Sequence, residues 1–258
     1  MTLIRTIMAA ALTLVMASGI AMAGEMKKVR VGTEGAYPPF NFVDSNGKLQ
    51  GFDVEISQAL CDKMKAECEF VAQDWDGIIP ALLAKKYDAI IASMSITEER
   101  MKKVDFTDKY YNTPAKFVMK KGAGHADTSP AGMKGKVIGA QSSTTHSSYL
   151  EDNYKDSEVK FYGTQDEANA DLAAGRLDAI LADSIVLWEW TTKSEDGKCC
   201  EFVGDDVIGE KWFGKGAGIA VRKEDGELKG MLNKALAEII ADGTYKKIND
   251  KYFPFSVY

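Results

Sequence analysis

One stretch of this chain occurs twice. LLAKKYDAIIAS (82–93) and LAAGRLDAILAD (172–183) carry Leu, Ala, Asp, Ala, Ile and Ala at matching places, and GKVIGAQSS (135–143) resembles KVRVG (28–32) and the loop after it. Two matches in the same order at similar spacing are poorly explained by chance between amphipathic segments, so the chain contains two related halves. Within the first half, KVRVG reads as a strand. GFDVEISQALCDKM (51–64) reads as a helix with Phe52, Ile56, Ala59, Leu60 and Met64 on one stripe and Asp53 as its N-cap. CEFVAQ (68–73) follows as a strand, WDGIIPALLAKK (75–86) as a helix and YDAIIAS (87–93) as a buried strand. A βαβαβ order of this kind predicts an α/β fold with a parallel sheet and right-handed crossovers.

Ligands of open α/β sheets bind beyond the carboxyl ends of the strands. Those ends deliver Glu34 and Ser93 in the first half and Gln141 and Asp183 at the corresponding places in the second. Two sheets facing one another put all four on opposite walls of one cleft. The final helices, after KWFGKGAGIAVRKEDGEL, lack strands of their own, and their segment is expected to return to the first lobe. The lobes are then 24–111 with 216–258, and 112–215, with hinge crossings near 111–114 (Tyr111-Asn112-Thr113-Pro114) and 214–218.

Arg5, an apolar run from Ile7 to Ile20 and Ala21-Met22-Ala23 have the pattern of a signal peptide over residues 1–23, cleaved near Ala23, which places the protein in the periplasm. The run is too short for a comfortable membrane span, and no later stretch approaches one. The formal charge of −6 becomes −7 without Arg5, and the bases are scattered among acids, so nucleic acid is not an expected partner. Export also lets disulfides persist. Cys61 and Cys68, at a helix end and a strand start, are expected to form a local bridge; adjacent Cys199 and Cys200 could be free thiols, a vicinal disulfide or a partner site. His125 and His146, the only histidines, show no ligand spacing with any cysteine, and neither a metal nor a cofactor is expected.

The segments VGTEGAYPPFNF (31–42), GFDVEI (51–56), CDKMKAEC (61–68), WDGIIPALLAKKYDAI (75–90), SMSITEER (93–100), AGRLDAILAD (174–183) and DGTYKKINDKYF (242–253) together resemble the amino-acid-binding proteins of bacterial ABC importers. Within them they resemble the lysine/arginine/ornithine, histidine and opine receptors. The resemblance covers essentially the whole mature chain. It implies a two-lobed periplasmic-binding-protein (type II) fold, each lobe a mainly parallel sheet flanked by helices, with a two-stranded hinge. The implied partners are a basic amino acid or an opine and an inner-membrane ABC permease, and a monomer is expected.

The resemblance also implies roles. Arg100 matches the arginine that holds a ligand α-carboxylate, for which a planar guanidinium fork is suited. Asp183 matches the acid that takes the α-ammonium, although it also reads as a helix N-cap. Ser93 and Ser95 match residues that bond the ligand carboxylate and backbone, while Ser95-Ile-Thr-Glu98 doubles as a capping box. Ala92 stands where several basic-amino-acid receptors carry another serine. Glu34 occupies the place of an acid that meets a distal cation, and burying it against a neutral side chain would cost several kcal/mol. Tyr37 and Trp75 match an aromatic pair that sandwiches the ligand side chain. Gln141, Thr144 and His146 lie on the second-lobe contact loop, where His146 replaces a common Gln and is similar to opine-type relatives.

A receptor for arginine, ornithine or lysine is thus expected, with an opine or histidine as the alternative ligand. A cyclohexadienyl dehydratase on the same fold is the enzymatic alternative, but its substrates lack the distal cation that Glu34 calls for. No nucleophile-elbow motif supports a Ser–His–Asp hydrolase, and no signalling module accompanies a sensing domain.

Overall fold

Val29, Val31, Ala89, Ile90 and Ile91 are almost wholly buried, as expected of apolar strands covered on both faces. All but Ile91, which follows the strand, belong to the first of two five-stranded sheets in the computed structural model, which describes residues 27–122 and 127–258. The expected signal peptide and His125 lie outside the described residues. Strand β1 (Lys27–Thr33) leads to a small antiparallel sheet of β2 (Ala36–Tyr37), β3 (Asn41–Val43) and β4 (Leu49–Gln50), then to helix α1 (Phe52–Met64). Strand β5 (Ala66–Ala72), a 3-10 turn at Trp75–Gly77, α2 (Ile78–Leu83), β6 (Ala89–Ile90), α3 (Glu98–Met101) and β7 (Asp105–Tyr111) complete the first passage.

The chain then enters the second sheet with β8 (Ala115–Lys120), followed by β9 (Val137–Gln141), α4 (Thr145–Asn153), β10 (Glu158–Tyr162), α5 (Gln165–Ala173), β11 (Ala179–Asp183), α6 (Ser184–Lys193) and β12 (Cys200–Val207). After α7 (Glu210–Phe213) it returns as β13 (Ala217–Val221), and α8 (Gly226–Ala241) and α9 (Thr244–Tyr252) pack on α1. The strand orders are β5-β1-β6-β13-β7 and β10-β9-β11-β8-β12. In each sheet the first three strands are parallel and the fourth runs antiparallel to both neighbours. That fourth strand, β13 or β8, is the one the chain forms on arriving from the other sheet.

The sequence repeat has a structural cause at three places. Asp88 Oδ2 accepts the Arg30 amide at 3.0 Å, and Asp178 Oδ2 accepts the Val137 amide at 2.8 Å, so the repeated Asp ties the same strand start in both sheets. Gly32 lies under the Tyr87 ring, where an added Cβ would come within 2.5 Å; Gly139 lies under Leu177, where it would come within 2.4 Å. The residue before the repeated Asp thus packs where only glycine leaves room. The third place is the strand ends described below.

Two capping expectations fail. The N-cap of α1 is Gly51, and Asp53 is buried inside the first turn, bonded elsewhere. The N-cap of α3 is Thr97, whose hydroxyl accepts the Arg100 amide, so Ser95 forms no capping box. In both cases a side chain that looked free to satisfy its own helix has a partner distant in sequence or a place in another ladder. The helix expected over 75–86 is divided into the 3-10 turn and α2, and the chain leaves it at Lys85 with φ 61°. Cys61 and Cys68 form a disulfide, and Cys199 and Cys200 are a vicinal pair.

Candidate functional site

The ends of β1, β6, β9 and β11 converge on one cavity, and all ten candidate residues line it: Glu34, Tyr37, Trp75, Ser93, Ser95, Arg100, Gln141, Thr144, His146 and Asp183. Ala92 and Thr145 complete the lining. Repeat equivalents meet across the cleft. Gln141 Nε2 donates to Glu34 Oε1 at 2.5 Å and to the Gly163 carbonyl at 3.0 Å, so both amide hydrogens are used and the bridge is oriented.

Asp183 sits at the N-cap position of α6 but makes no capping bond with its side chain. Its oxygens instead accept the Tyr37 hydroxyl at 2.7 Å and the Thr113 hydroxyl at 3.0 Å. Tyr37 comes from the first sheet's side of the cleft and Thr113 from the first crossing. His146 Nε2 lies 3.8 Å from Asp183 Oδ1 and is buried without a hydrogen-bond partner. The ring leans on Phe213 at 5.7 Å between centroids.

Arg100 spans the cleft. Nη1 donates to the Ser95 carbonyl at 3.1 Å, and Nη2 reaches the Ser143 carbonyl at 3.4 Å. Its guanidinium carbon lies 5.2 Å from the centre of the Trp75 ring, so one face of the indole is stacked on a protein cation. Trp75 Nε1 also donates to the Ser143 carbonyl, at 3.1 Å, and Ser142 donates to both Asp76 oxygens at 2.9 and 3.0 Å. Ser143 stands at φ 55° to present that carbonyl. These bonds form a seam between the two sheets beside the cavity. On its far side an outer groove with about 1480 Å³ of empty space shares Trp75, Arg100, Thr144 and Thr145 with the cavity.

Thr144 caps α4: its hydroxyl accepts the Ser147 amide at 3.1 Å, and Ser147 Oγ accepts the Thr144 amide at 3.1 Å. The start of a helix thereby points at the cleft close to Arg100, two features that favour an anion.

The charges fall into two groups. Burial lowers Arg100 to about 10 while Asp183 opposes the fall, and it remains cationic at neutral pH. Burial also holds His146 below its ordinary value, with Asp183 pulling up and Arg100 pushing down, so the ring is neutral there. Glu34 interacts with other acids: burial pushes it up to about 7, the Gln141 hydrogen bond resists, and Asp166, Asp74 and Asp76 add to the rise. One end of the cavity thus pairs a cation with an anion, and the other holds a carboxylate short of positive charge.

Behind the cleft lies a residue that pattern reading missed. Asp53 Oδ2 accepts Asn41 Nδ2 at 2.8 Å and the Ser93 hydroxyl at 3.1 Å, and Oδ1 accepts the Tyr110 hydroxyl at 2.8 Å. Burial pushes Asp53 up to about 6 despite these donors. Ser93 itself is left-handed, at φ 56°. Thr113, Ser142 and Asp76 were also missed. A polar residue near a strand or helix end is too common to stand out, although Thr113 lies in the predicted crossing.

Comparison with known proteins gives a consistent result. The profile of bacterial extracellular solute-binding proteins, family 3, matches residues 29–255. An L-arginine-binding protein of Pseudomonas aeruginosa is 51% identical over 234 residues, covering 90% of either chain. The lysine/arginine/ornithine-binding periplasmic protein of Escherichia coli (strain K12) is 41% identical over 232 residues, covering 89% of either chain. The solved structure of an ancestral arginine-binding protein bound to arginine superposes with a TM-score of 0.80 at 41% identity, covering 88% of this chain and 98% of that one.

Proposed function

The chain belongs to the bacterial extracellular solute-binding proteins of family 3, and from that premise we propose that it is a periplasmic receptor for a basic L-amino acid, arginine first, that delivers its ligand to an inner-membrane ABC permease. Glu34 is the observation that carries the choice of ligand. It is a half-buried carboxylate whose hydrogen-bond partner is the Gln141 amide, raised to about 7 and surrounded by further acids. A distal guanidinium or ammonium supplies the missing charge. The other end suits the zwitterion: Arg100 and the start of α4 take the α-carboxylate, and Asp183 takes the α-ammonium. Tyr37 and Trp75 flank the side chain between them. A dehydratase substrate without a distal cation would leave Glu34 uncompensated, so the protein is read as a receptor and not as an enzyme.

Residues 24–111 with 216–258, and 112–215, are taken as the two moving bodies, rotating about the crossings near 111–114 and 214–218. Ligand bridging the two walls then shifts a hinge equilibrium towards the closed form. A second reading, a larger arginine derivative of the opine type, is favoured by the outer groove that shares Trp75 and Arg100 with the cavity.

Calorimetry with arginine, lysine, ornithine, histidine, leucine, glutamate, octopine and nopaline tests both. Tight binding of arginine and none of leucine or glutamate is the expected result; octopine binding more tightly than arginine would transfer the proposal to the second reading. A preference for neutral or acidic ligands overturns the role of Glu34, and turnover of prephenate or arogenate would make the protein an enzyme.

A further inference from the structure

We infer that Asp53, which lies behind the cleft wall, is a positioning residue that makes the Ser93 hydroxyl an acceptor towards the cleft and so dedicates it to the ligand's α-ammonium. The inference rests on the receptor reading above and deepens it.

The direction of each hydrogen bond to the Asp53 carboxylate is fixed by its chemistry. Asn41 Oδ1 accepts the Gly35 amide at 2.8 Å, which leaves its NH₂ as the group facing Asp53. The Tyr110 oxygen accepts the Ser93 amide at 3.1 Å, so its hydroxyl hydrogen is free to go to Asp53 Oδ1. With an amide donor and a phenol donor already directed at it, the carboxylate takes the Ser93 hydroxyl hydrogen as its third. The carboxylate also sits in the first turn of α1, where the helix end favours negative charge. Both hydrogens of Ser93, amide and hydroxyl, are therefore spent behind the wall. What its side chain still offers the cavity is lone pairs.

A ligand carboxylate has no hydrogen to give to those lone pairs; an ammonium has three. The neighbouring charges point the same way. Tyr111 contacts Ser93, and its phenol is raised by burial first and then by Asp183 and Asp53, so both acids lie near this pair. Ser93 and Asp183 line the same cavity and share Tyr111 as a neighbour. This reverses the assignment of Ser93 to the ligand carboxylate that the sequence resemblance implied. The left-handed backbone at Ser93 fits the same account, since the paired bonds to Tyr110 and Asp53 compensate a conformation that a serine seldom adopts.

The test compares arginine with 5-guanidinopentanoate, which keeps both ends of arginine but lacks the α-ammonium, by calorimetry on wild type, Ser93→Ala, Asp53→Asn and the double variant. Asparagine at 53 has one carbonyl oxygen, with two lone pairs, for the three hydrogens that Asn41, Tyr110 and Ser93 direct at the carboxylate, so the serine hydrogen loses its acceptor and is free to turn into the cleft. Each single variant is expected to weaken arginine about tenfold, as loss of one hydrogen bond to a charged group does. 5-Guanidinopentanoate should change by less than about twofold, and Asp53→Asn should add less than about twofold on top of Ser93→Ala. Equal weakening of both ligands, or losses that simply multiply in the double variant, would overturn the inference while leaving the receptor reading intact. If Asp53→Asn does not fold, Ser93→Ala across the two ligands decides alone, equal loss counting against. No arginine binding by wild type would overturn both.

Discussion

Ser93, just past β6, and Asp183, at the end of β11, hold equivalent places in the repeat, yet the two halves arrange an acid and hydroxyls in opposite order. In the first half Ser93 lines the cleft and the acid that takes its hydroxyl hydrogen, Asp53, stands behind it. In the second the acid lines the cleft, and the hydroxyls that steady it come from Tyr37 across the gap and Thr113 on the crossing. The strand-start device, by contrast, is unchanged: Asp88 and Asp178 make the same bond to the same strand. The duplication has kept what builds a sheet and has divided what meets a ligand, so that one wall depends on its own lobe and the other on the partner wall.

The sharpest way to break this contrast is at Arg100, which bonds to Ser95 on its own side and to Ser143 on the other. Arg100→Ala removes the cation at the zwitterion end and should abolish binding of every amino acid in calorimetry, a loss of roughly 3–5 kcal/mol as for other desolvated charge partners. Glu34→Gln should be selective, weakening arginine by about 2–3 kcal/mol while leaving citrulline, its neutral counterpart, nearly unchanged. A uniform loss with both ligands would show that Glu34 acts on the wall and not on the cation.

pH gives a smaller handle on the same residue. Glu34 must be ionised to pair with a cation, and its pKa in the protein is about 7. Below that value binding expels a proton, so arginine affinity should fall by up to tenfold, or about 1.4 kcal/mol, per pH unit and level off above it. Proton release on binding at pH 6, measured in buffers of different ionisation enthalpy, checks the sign, and Glu34→Gln should flatten the profile. The smallest effect belongs to the outer seam: Ser142→Ala removes a neutral donor from Asp76 and should reduce affinity by about 0.5–1 kcal/mol, seen as faster dissociation in stopped flow.

Much of this architecture was legible before any coordinates. The repeat located both sets of strand ends, and Glu34, Ser93, Gln141 and Asp183 do meet in one cavity. Arg100 and Trp75 required the family pattern, because an arginine in TEERMKK and a tryptophan at a helix start have ordinary local explanations. The failures have a common physical origin. Helix-cap rules are local, and Asp53 and Ser95 were judged by their own turns. The partners of Asp53 are Asn41, Ser93 and Tyr110, brought together only when β3, β6 and β7 are assembled around α1. The seam was equally invisible, since a backbone carbonyl such as that of Ser143 leaves no mark in a sequence.

The placing of β13 has a consequence for the order of events in the chain's life. The first sheet needs this strand between β6 and β7, and it is made only after the whole second sheet has been synthesised. Until then β6 and β7 have no common neighbour, and α8 and α9 are absent from the back of α1. Contacts so distant in sequence close slowly and late. In a nascent chain of this design the first sheet therefore stays incomplete until the second has been made, which keeps that part slack for as long as a polypeptide would need if it is to be threaded through a membrane before it folds.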